Sequence, residues 1–389
     1  MIDRRLRIAL LCHDLARNSF GRAYVLARVL ARDHKVHVVG PQFGPSVWPP
    51  FAGLLEAHGV RVTAIPSHRY PRYLASAARL RRAIGTDTDV IYAVKPFPTS
   101  LGLGLSHKQR HGVPLILDID DWELGTFQSM GWRKRLETIA GGITSPNNYL
   151  WLRRTYAQTS RADAITVSSS FLQRRFGGTI VVHGRDTAAM DPGQVDRKRA
   201  RQELGVLGQV VMFLGTPRPH KGVEDLMAAL HQIDRPDVTG LIVGAGARSW
   251  YTEQLKAQAG ERVRFLPLQP FSRVPFLLSA ADVVVVPQRQ VPFAEAQVPA
   301  KLFDAMAMGR PIVATTVSDI PDILSGGCGL VVPPGDVDAL AEAIAYMLDH
   351  PAAAERMGLA AREKCVREFS WENMQSTLRQ VIDRVVATS

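Results

Sequence analysis

The chain has 389 residues, 46% of them hydrophobic, and carries 47 Lys+Arg against 36 Asp+Glu, a net charge of +11. No apolar run is long enough for a membrane-spanning helix, and three scattered cysteines (Cys12, Cys328, Cys365) make neither a disulfide framework nor a zinc site. The charge excess falls wholly within residues 1–196, with 26 basic and 15 acidic side chains against 21 of each in the remainder, so the first half is expected to face something anionic.

The length favours two domains over one. The start, MIDRRLRIALLCHDLARNSFG, superficially resembles a signal peptide, but IALLC is too short for its apolar segment and His13-Asp14 follow at once. It reads better as a first strand, and a reducing cytoplasm is expected. Residues 7–12 and 36–39 read as buried strands joined by a helix over 21–33, the opening of a doubly wound α/β fold. Ligands of such folds sit beyond the carboxyl ends of the strands. The loop from His13 to Arg22 lies there, and its Gly21 permits close backbone approach. Further strands are expected at 60–62, 90–93, 115–117, 164–167 and 180–182, with a helix over 72–84. FGPSVWPPF (43–51), WRKR (132–135) and YLWLRR (149–154) interleave aromatic or apolar side chains with prolines or cations. The two cationic segments have the pattern of a surface resting on anionic lipid headgroups. No nucleic-acid module is recognisable, so nucleic acid is not an expected partner.

Residues 186–207 read as a polar linker passing into a short helix. A second strand series follows at 209–214, 240–243, 263–266, 283–286, 312–314 and 330–332, and an amphipathic helix covers 369–386. Two α/β halves imply a cleft between them. Between Val298 and Thr315, Pro299 and Gly309 bracket a helix with Leu302, Phe303, Met306 and Ala307 on one face and Lys301 and Asp304 on the other. Its N-terminus is a natural seat for a phosphate. A carboxylate one turn further in is placed to hold ribose hydroxyls; a solvated Lys–Asp pair is the plainer alternative.

Three other constellations can carry chemistry. GTPRPHKG (215–222) sets Arg218, His220 and Lys221 at a strand tip, where two fixed cations can neutralise a diphosphate; a basic turn is the alternative, and the P-loop spacing is absent. Gly244-Ala245-Gly246 reads as a tight strand-to-helix turn. LDIDDWE (117–123) places Asp118, Asp120 and Asp121 at the tip of a buried strand, and Asp118-x-Asp120 leaves a divalent metal open on spacing alone.

Together these residues resemble the glycosyltransferase family-four group of the GT-B fold. The resemblance rests on Gly215…Lys221-Gly222, Val243-Gly244-x-Gly246, Ala281-Asp282-Val283 with Pro287, Lys301 to Ala307 with Gly309 and Pro311, and Phe369-Ser370-Trp371. In the first half, Ala162-Asp163-Ala164…Ser168 and Gly184-Arg185-Asp186 join them. It implies an α/β fold of two Rossmann-like doubly wound domains facing a central cleft, with residues 1–190 binding acceptor and 205–369 binding a nucleotide-sugar donor. The helix 370–389 is expected to pack back on the first domain. It implies a retaining enzyme that needs neither metal nor cofactor, the nucleotide-diphosphate sugar being a co-substrate, with domain closure excluding water. By the same resemblance Arg218 and Lys221 clamp the diphosphate and act in catalysis with Asp120, and Asp304 holds the ribose. The donor set is completed by Gly21, Gly244, Glu295, Ala296, Gln297, Val298, Lys301 and Leu302. The acceptor set is His13, Arg17, Asn18, Lys95, Asp120 and Asp121.

The chain departs from the family where an acid eight residues before Asp304 is replaced by Ala296; Glu295, or main-chain groups over 296–298, are the alternatives for its role. Thr216 replaces the usual Arg after the strand-tip glycine, with Arg218 displaced by two, and Asp120-Asp121 replaces a His-Asp pair. The expected reaction is sugar transfer to a lipid-linked or polysaccharide-precursor glycan acceptor at the cytoplasmic membrane face, with peripheral contact to anionic lipid. A soluble natural-product acceptor, a nucleotide-sugar 2-epimerase and a non-catalytic nucleotide-sugar binder are the alternatives.

Overall fold

The computed structural model describes residues 4–128, 130–246 and 249–388. Met1 to Asp3, the head of the basic N-terminal stretch, lie outside the described residues, as does Ser389 at the end of the last expected helix. The chain forms two compact units, one comprising residues up to Val182 together with those from Met374 onward, the other His183–Asn373.

Unit 1 is built on a seven-stranded parallel sheet of β1 (Arg7–Cys12), β2 (Lys35–Gln42), β3 (Arg61–Pro66), β4 (Val90–Val94), β5 (Leu115–Ile119), β6 (Ala164–Val167) and β7 (Thr179–Ile180), in spatial order β3-β2-β1-β4-β5-β6-β7. The central strands are Val-, Ile- and Leu-rich and buried on both faces, as a sheet covered by helices on two sides requires. Register is fixed by pairs such as Leu10↔Val38 and Leu10↔Tyr92. The order reverses direction between β1 and β4, so the chain diverges beyond their carboxyl ends and leaves a crevice there. The stretch expected to be a strand over 180–182 stops at Ile180. The carbonyls of Val181 and Val182 accept instead from Arg22, at 2.8 and 3.0 Å.

Unit 2 repeats the plan with β8 (Gln209–Leu214), β9 (Val238–Val243), β10 (Val263–Leu266), β11 (Val283–Val286), β12 (Ile312–Thr315) and β13 (Leu330–Val332), in order β10-β9-β8-β11-β12-β13, again all parallel. Its core joins Phe213, Ile242, Val283, Val285 and Val313 to the helices Val223–Ile233 and Val337–Asp349. The reversal lies between β8 and β11, which puts the loop after β8 at the crevice. The polar stretch 186–207 resolves into turns and the helix Arg197–Glu203, whose first turn is capped by the Asp196 carboxylate accepting from the Arg199 amide at 3.0 Å.

Candidate functional site

In unit 2, strand β8 ends at Leu214 and the chain turns at Gly215, whose φ of 120° is closed to other residues. A Cβ on Gly244 would lie 2.8 Å from the Gly215 carbonyl carbon, so the turns after β8 and β9 pack backbone against backbone. A Cβ on Gly246, by contrast, would meet nothing within 4 Å. The loop carries Arg218, exposed and without a side-chain partner among the described residues, and Lys221, whose Nζ donates to the Thr216 carbonyl at 3.1 Å. His220 stands edge-on to Phe293, with ring centroids 4.5 Å apart. Burial, helped by Lys221, Lys301 and Arg218, holds the imidazole down to about 3. A neutral histidine inside a ring of cations marks a strongly positive patch.

The helix that the sequence frames between Pro299 and Gly309 spans Ala300–Ala307. Gly309, at φ 58°, closes it in the left-handed conformation, and the Arg310 amide reaches back to the Ala305 carbonyl at 3.0 Å. The expected apolar stripe opposite a polar face is corrected: every residue from Lys301 to Ala307 is buried. Lys301 lays its ammonium over the Phe213 ring, 3.5 Å from the centroid. A Cβ on Gly215 would lie 3.3 Å from its Nζ.

Asp304 is tied to Arg185, whose Nε donates to Oδ1 at 2.5 Å. The same guanidinium donates to the carbonyls of His183 and Gly184, both at 3.0 Å, and to that of Ala300 at 2.7 Å. Arg185 thus fixes both the start of this helix and the carboxylate one turn into it. Its own position is set by main-chain bonds to Phe369 and Trp371, and the Trp371 indole donates to Gly184 at 3.1 Å. Arg185 is not among the site residues expected from the sequence. Its partner is 119 positions away, and the only signal was its place in Gly184-Arg185-Asp186.

Glu295 accepts from the Ser318 amide at 3.3 Å through Oε2, and its Oε1 is buried without a hydrogen-bond partner. Ala296, Val298 and Leu302 are buried in the wall before and within the helix, and Gln297 offers its carbonyl to Gln288 at 3.4 Å. Gly21 is not in a loop, which corrects the expectation. It is the second residue of the helix Phe20–Leu30, and a Cβ there would lie 3.3 Å from the Phe51 ring.

In unit 1 a cavity of about 450 Å³ opens beyond β1 and β4. His13, Asp14, Arg17, Phe97, Arg69 and Asn147 are among its walls, so two of the residues expected to bind acceptor, His13 and Arg17, line it. His13 stacks on Phe97 at 4.2 Å, and burial followed by the charge of Lys95 holds it down to about 3. Asn18 is exposed and offers its carbonyl to the Gly21 amide at 3.0 Å.

Lys95, Asp120 and Asp121, also expected to meet the acceptor, are not among the residues lining this cavity. Lys95, 4% exposed and at φ 68°, directly follows β4. Its ammonium is enclosed by Asp120 at 2.9 Å, Glu123 at 2.8 Å and Asp121. Asp121 is the most open of these acids, and burial pushes it up against the pull of Lys95. The Asp118-x-Asp120 pair is likewise divided. Both oxygens of the fully buried Asp118 accept from Arg22, at 2.9 and 2.8 Å, and Thr166 adds a third bond. Among the described residues, no group of three or more His, Cys, Asp or Glu side chains is arranged to hold a metal.

Beside the cavity, the helix Trp132–Gly142 has no buried residue. Trp132, Leu136 and Ile143 are all more than half exposed, and Leu150 and Trp151 on the helix Tyr149–Tyr156 are exposed as well. Arg133, Lys134, Arg153 and Arg154 accompany them. Arg69, in the cavity wall, donates to the Gly141 carbonyl at 3.2 Å, which joins this surface to the cavity. No described helix is long and apolar enough to cross a membrane.

Residues 208–350 match the family described as glycosyl transferases group 1, and residues 22–193 match the glycosyl transferase 4-like domain. The glycogen synthase of Mycobacterium tuberculosis is 31% identical over 327 residues, covering 79% of this chain and 72% of that protein. A GDP-mannose-dependent phosphatidylinositol monomannoside mannosyltransferase of Corynebacterium glutamicum is 29% identical over 247 residues, which cover 57% of this chain and 62%, less than two thirds, of that relative. Among solved structures, sucrose-phosphate synthase from Thermosynechococcus elongatus superposes with a TM-score of 0.77 at 21% identity, over 99% of this chain and all of that one. Anabaena HepE, determined in complex with UDP-glucose, gives 0.77 at 20% identity over 98% of this chain and all of that one. The chain therefore has the GT-B fold, each unit being one of its Rossmann-like domains. The chain belongs to the group 1, family-four-like glycosyltransferases, enzymes of the hexosyltransferase type.

Proposed function

We propose that the protein transfers a sugar, with retention of anomeric configuration, from a nucleoside diphosphate sugar to an acceptor hydroxyl. The observation that carries this reading is the positive strand-tip patch of unit 2: Arg218, Lys221 and Lys301 around the Gly215 turn, with the helix Ala300–Ala307 beginning beside it. The diphosphate lies against these cations and the helix N-terminus. The ribose hydroxyls bond Asp304, which Arg185 holds in place. As the anomeric carbon–oxygen bond breaks, Arg218 and Lys221 stabilise the charge gathering on the departing diphosphate. Its oxygen takes the proton of the acceptor hydroxyl, and the new glycosidic bond forms on the face the diphosphate leaves. In this reading no metal or cofactor takes part.

The acceptor is assigned to the unit 1 cavity, whose walls include His13, Asp14 and Arg17. The cations Arg17 and Arg69 in the walls, and the exposed apolar and cationic helices beside them, support a lipid-linked or otherwise anionic glycan met at a membrane face. The phosphatidylinositol mannoside substrate in the name of the Corynebacterium relative is consistent with this.

The test is a thermal-shift screen of UDP, GDP, dTDP, ADP and their sugars on wild type, Asp304→Ala and Lys221→Ala. Ligand at a hundred times its dissociation constant stabilises the native protein by about 2.7 kcal/mol, and that gain should vanish in both variants. No response from wild type to any nucleotide would overturn the donor assignment. Salt-sensitive binding to anionic vesicles, lost in Trp132→Ser/Leu136→Ser, checks the membrane part; wild type that ignores vesicles points to a soluble acceptor.

A further inference from the structure

Lys301 is the second residue of the helix Ala300–Ala307 and is 9% exposed. Among the described residues its ammonium has no hydrogen bond and no ion pair; its recorded contact is the face of Phe213. The carboxylate one turn along, Asp304, is given to Arg185. Ala296, where the family resemblance expects an acid, supplies no counter-charge. The other titratable groups acting on or beside Lys301 are cationic or neutral: Lys221 on the loop after β8, and His220, which burial keeps uncharged. A lysine buried without a counter-ion beside another cation is unfavourable unless an anion is to arrive. Its neighbour across the gap is the Gly215 turn, where a Cβ would lie 3.3 Å from both Cε and Nζ of Lys301, so the glycine leaves room beside the amine.

We propose that Lys301 binds the diphosphate of the nucleotide sugar and takes up a proton from solvent as it does so. The inference rests on the donor assignment made above and adds to it a coupling between binding and the protonation of Lys301. Burial, then the charge of Lys221, drives the free amine well below its ordinary range, against the weaker pull of Asp304. Buried beside Lys221 with no counter-ion, the unliganded amine is best held neutral, and two phosphate charges restore its proton. Arg218 and Lys221 are permanent cations, whereas Lys301 becomes one when the donor is in place. Affinity for the donor then falls as pH rises above the free amine's value, and binding consumes a proton.

The experiment is calorimetric titration with UDP-glucose, GDP-mannose, dTDP-glucose or ADP-glucose, whichever stabilises wild type, in buffers of differing ionisation enthalpy. A nucleotide sugar's diphosphate has no group titrating near neutral pH, so the slope against buffer enthalpy counts protons taken up by the protein. Wild type should take up close to one proton. Lys301→Met should bind about ten- to a hundredfold more weakly with no uptake, while His220→Gln keeps it. Lys301→Arg, permanently charged, should bind without uptake. Far-UV circular dichroism and thermal unfolding verify that each variant is folded. An unchanged slope in Lys301→Met, uptake lost in His220→Gln instead, or no uptake by wild type overturns the proposal while leaving the donor site standing. Failure of wild type to bind any of the four sinks the donor assignment itself, and this inference with it.

Discussion

Both units bury a lysine at the tips of their central strands, and they treat it in opposite ways. Lys95 in unit 1 is met by Asp120, Asp121 and Glu123, so its charge is balanced within the fold. Lys301 in unit 2 is met by an aromatic face and by the like charge of Lys221. The first arrangement is complete in the free protein, and its contribution is to stability and to holding three acids in fixed positions. The second is incomplete, and what completes it comes from outside. Similar burial of the same side chain therefore marks structure in one sheet and a binding site in the other; the difference lies in the counter-charges.

The contrast is most directly broken by truncating each lysine. Lys95→Met leaves three clustered carboxylates without their cation and should cost unit 1 about 3–5 kcal/mol, read as lost amide-exchange protection confined to unit 1. Lys301→Met replaces a buried amine that has no counter-ion and should leave unit 2 as stable as before, or more so. Equal losses would erase the distinction. The glycines of unit 2 give a second, smaller contrast. Gly222 sits at φ 62°, and a Cβ there would come within 1.9 Å of the Pro287 carbonyl oxygen, so Gly222→Ala should cost about 2 kcal/mol or more in urea unfolding. Gly246→Ala, with open space around it, should stay within about 0.5 kcal/mol and serve as the control.

Acid sharpens the comparison further. His13 titrates at its ordinary 6.5 when unfolded but is held down to about 3 in the fold. Below pH 6.5 the unfolded chain binds the proton and the native one does not, so stability is lost as pH falls toward 3. His34, His37 and His107 in unit 1 are held down as well, and in unit 2 His220 is. Lowering the pH from 7 to 5 therefore sets four such histidines against unit 1 and one against unit 2, with Asp121, pushed up to about 7 in the fold, opposing the loss in unit 1. His13→Gln should match wild type at pH 7 and lose less at pH 5; equal losses would remove His13 from the account.

What was legible in the sequence follows from how local each signal is. Strands such as RIALLC and VVVV declare themselves because a parallel sheet buried on both faces needs continuous apolar, β-branched runs. The helix frame of Pro299 and Gly309 is also local chemistry. The burial of Lys301 and Asp304 was not legible. At i and i+3 on a short helix they read as a solvated pair, and only the fold brings Phe213 to one and Arg185 to the other. The acids of LDIDDWE showed that something polar happens at that strand tip, but not that Lys95 and Arg22, from β4 and the first helix, would claim them.

Residues 183–185 and 369–371 lie side by side, joined by the main-chain bonds of Arg185 to Phe369 and Trp371 and by the indole of Trp371. Unit 2 is thus one uninterrupted stretch whose two ends meet, while unit 1 is closed by a segment made after it. That segment, from Met374, puts Gln375 and Arg379 on Asp33, each at 2.8 Å. During synthesis, unit 2 has its whole sequence in hand while unit 1 still lacks the helix that completes it. The half translated first is the half that must wait, and a chaperone that shelters the first half until translation passes Arg379 would act where this topology is most exposed.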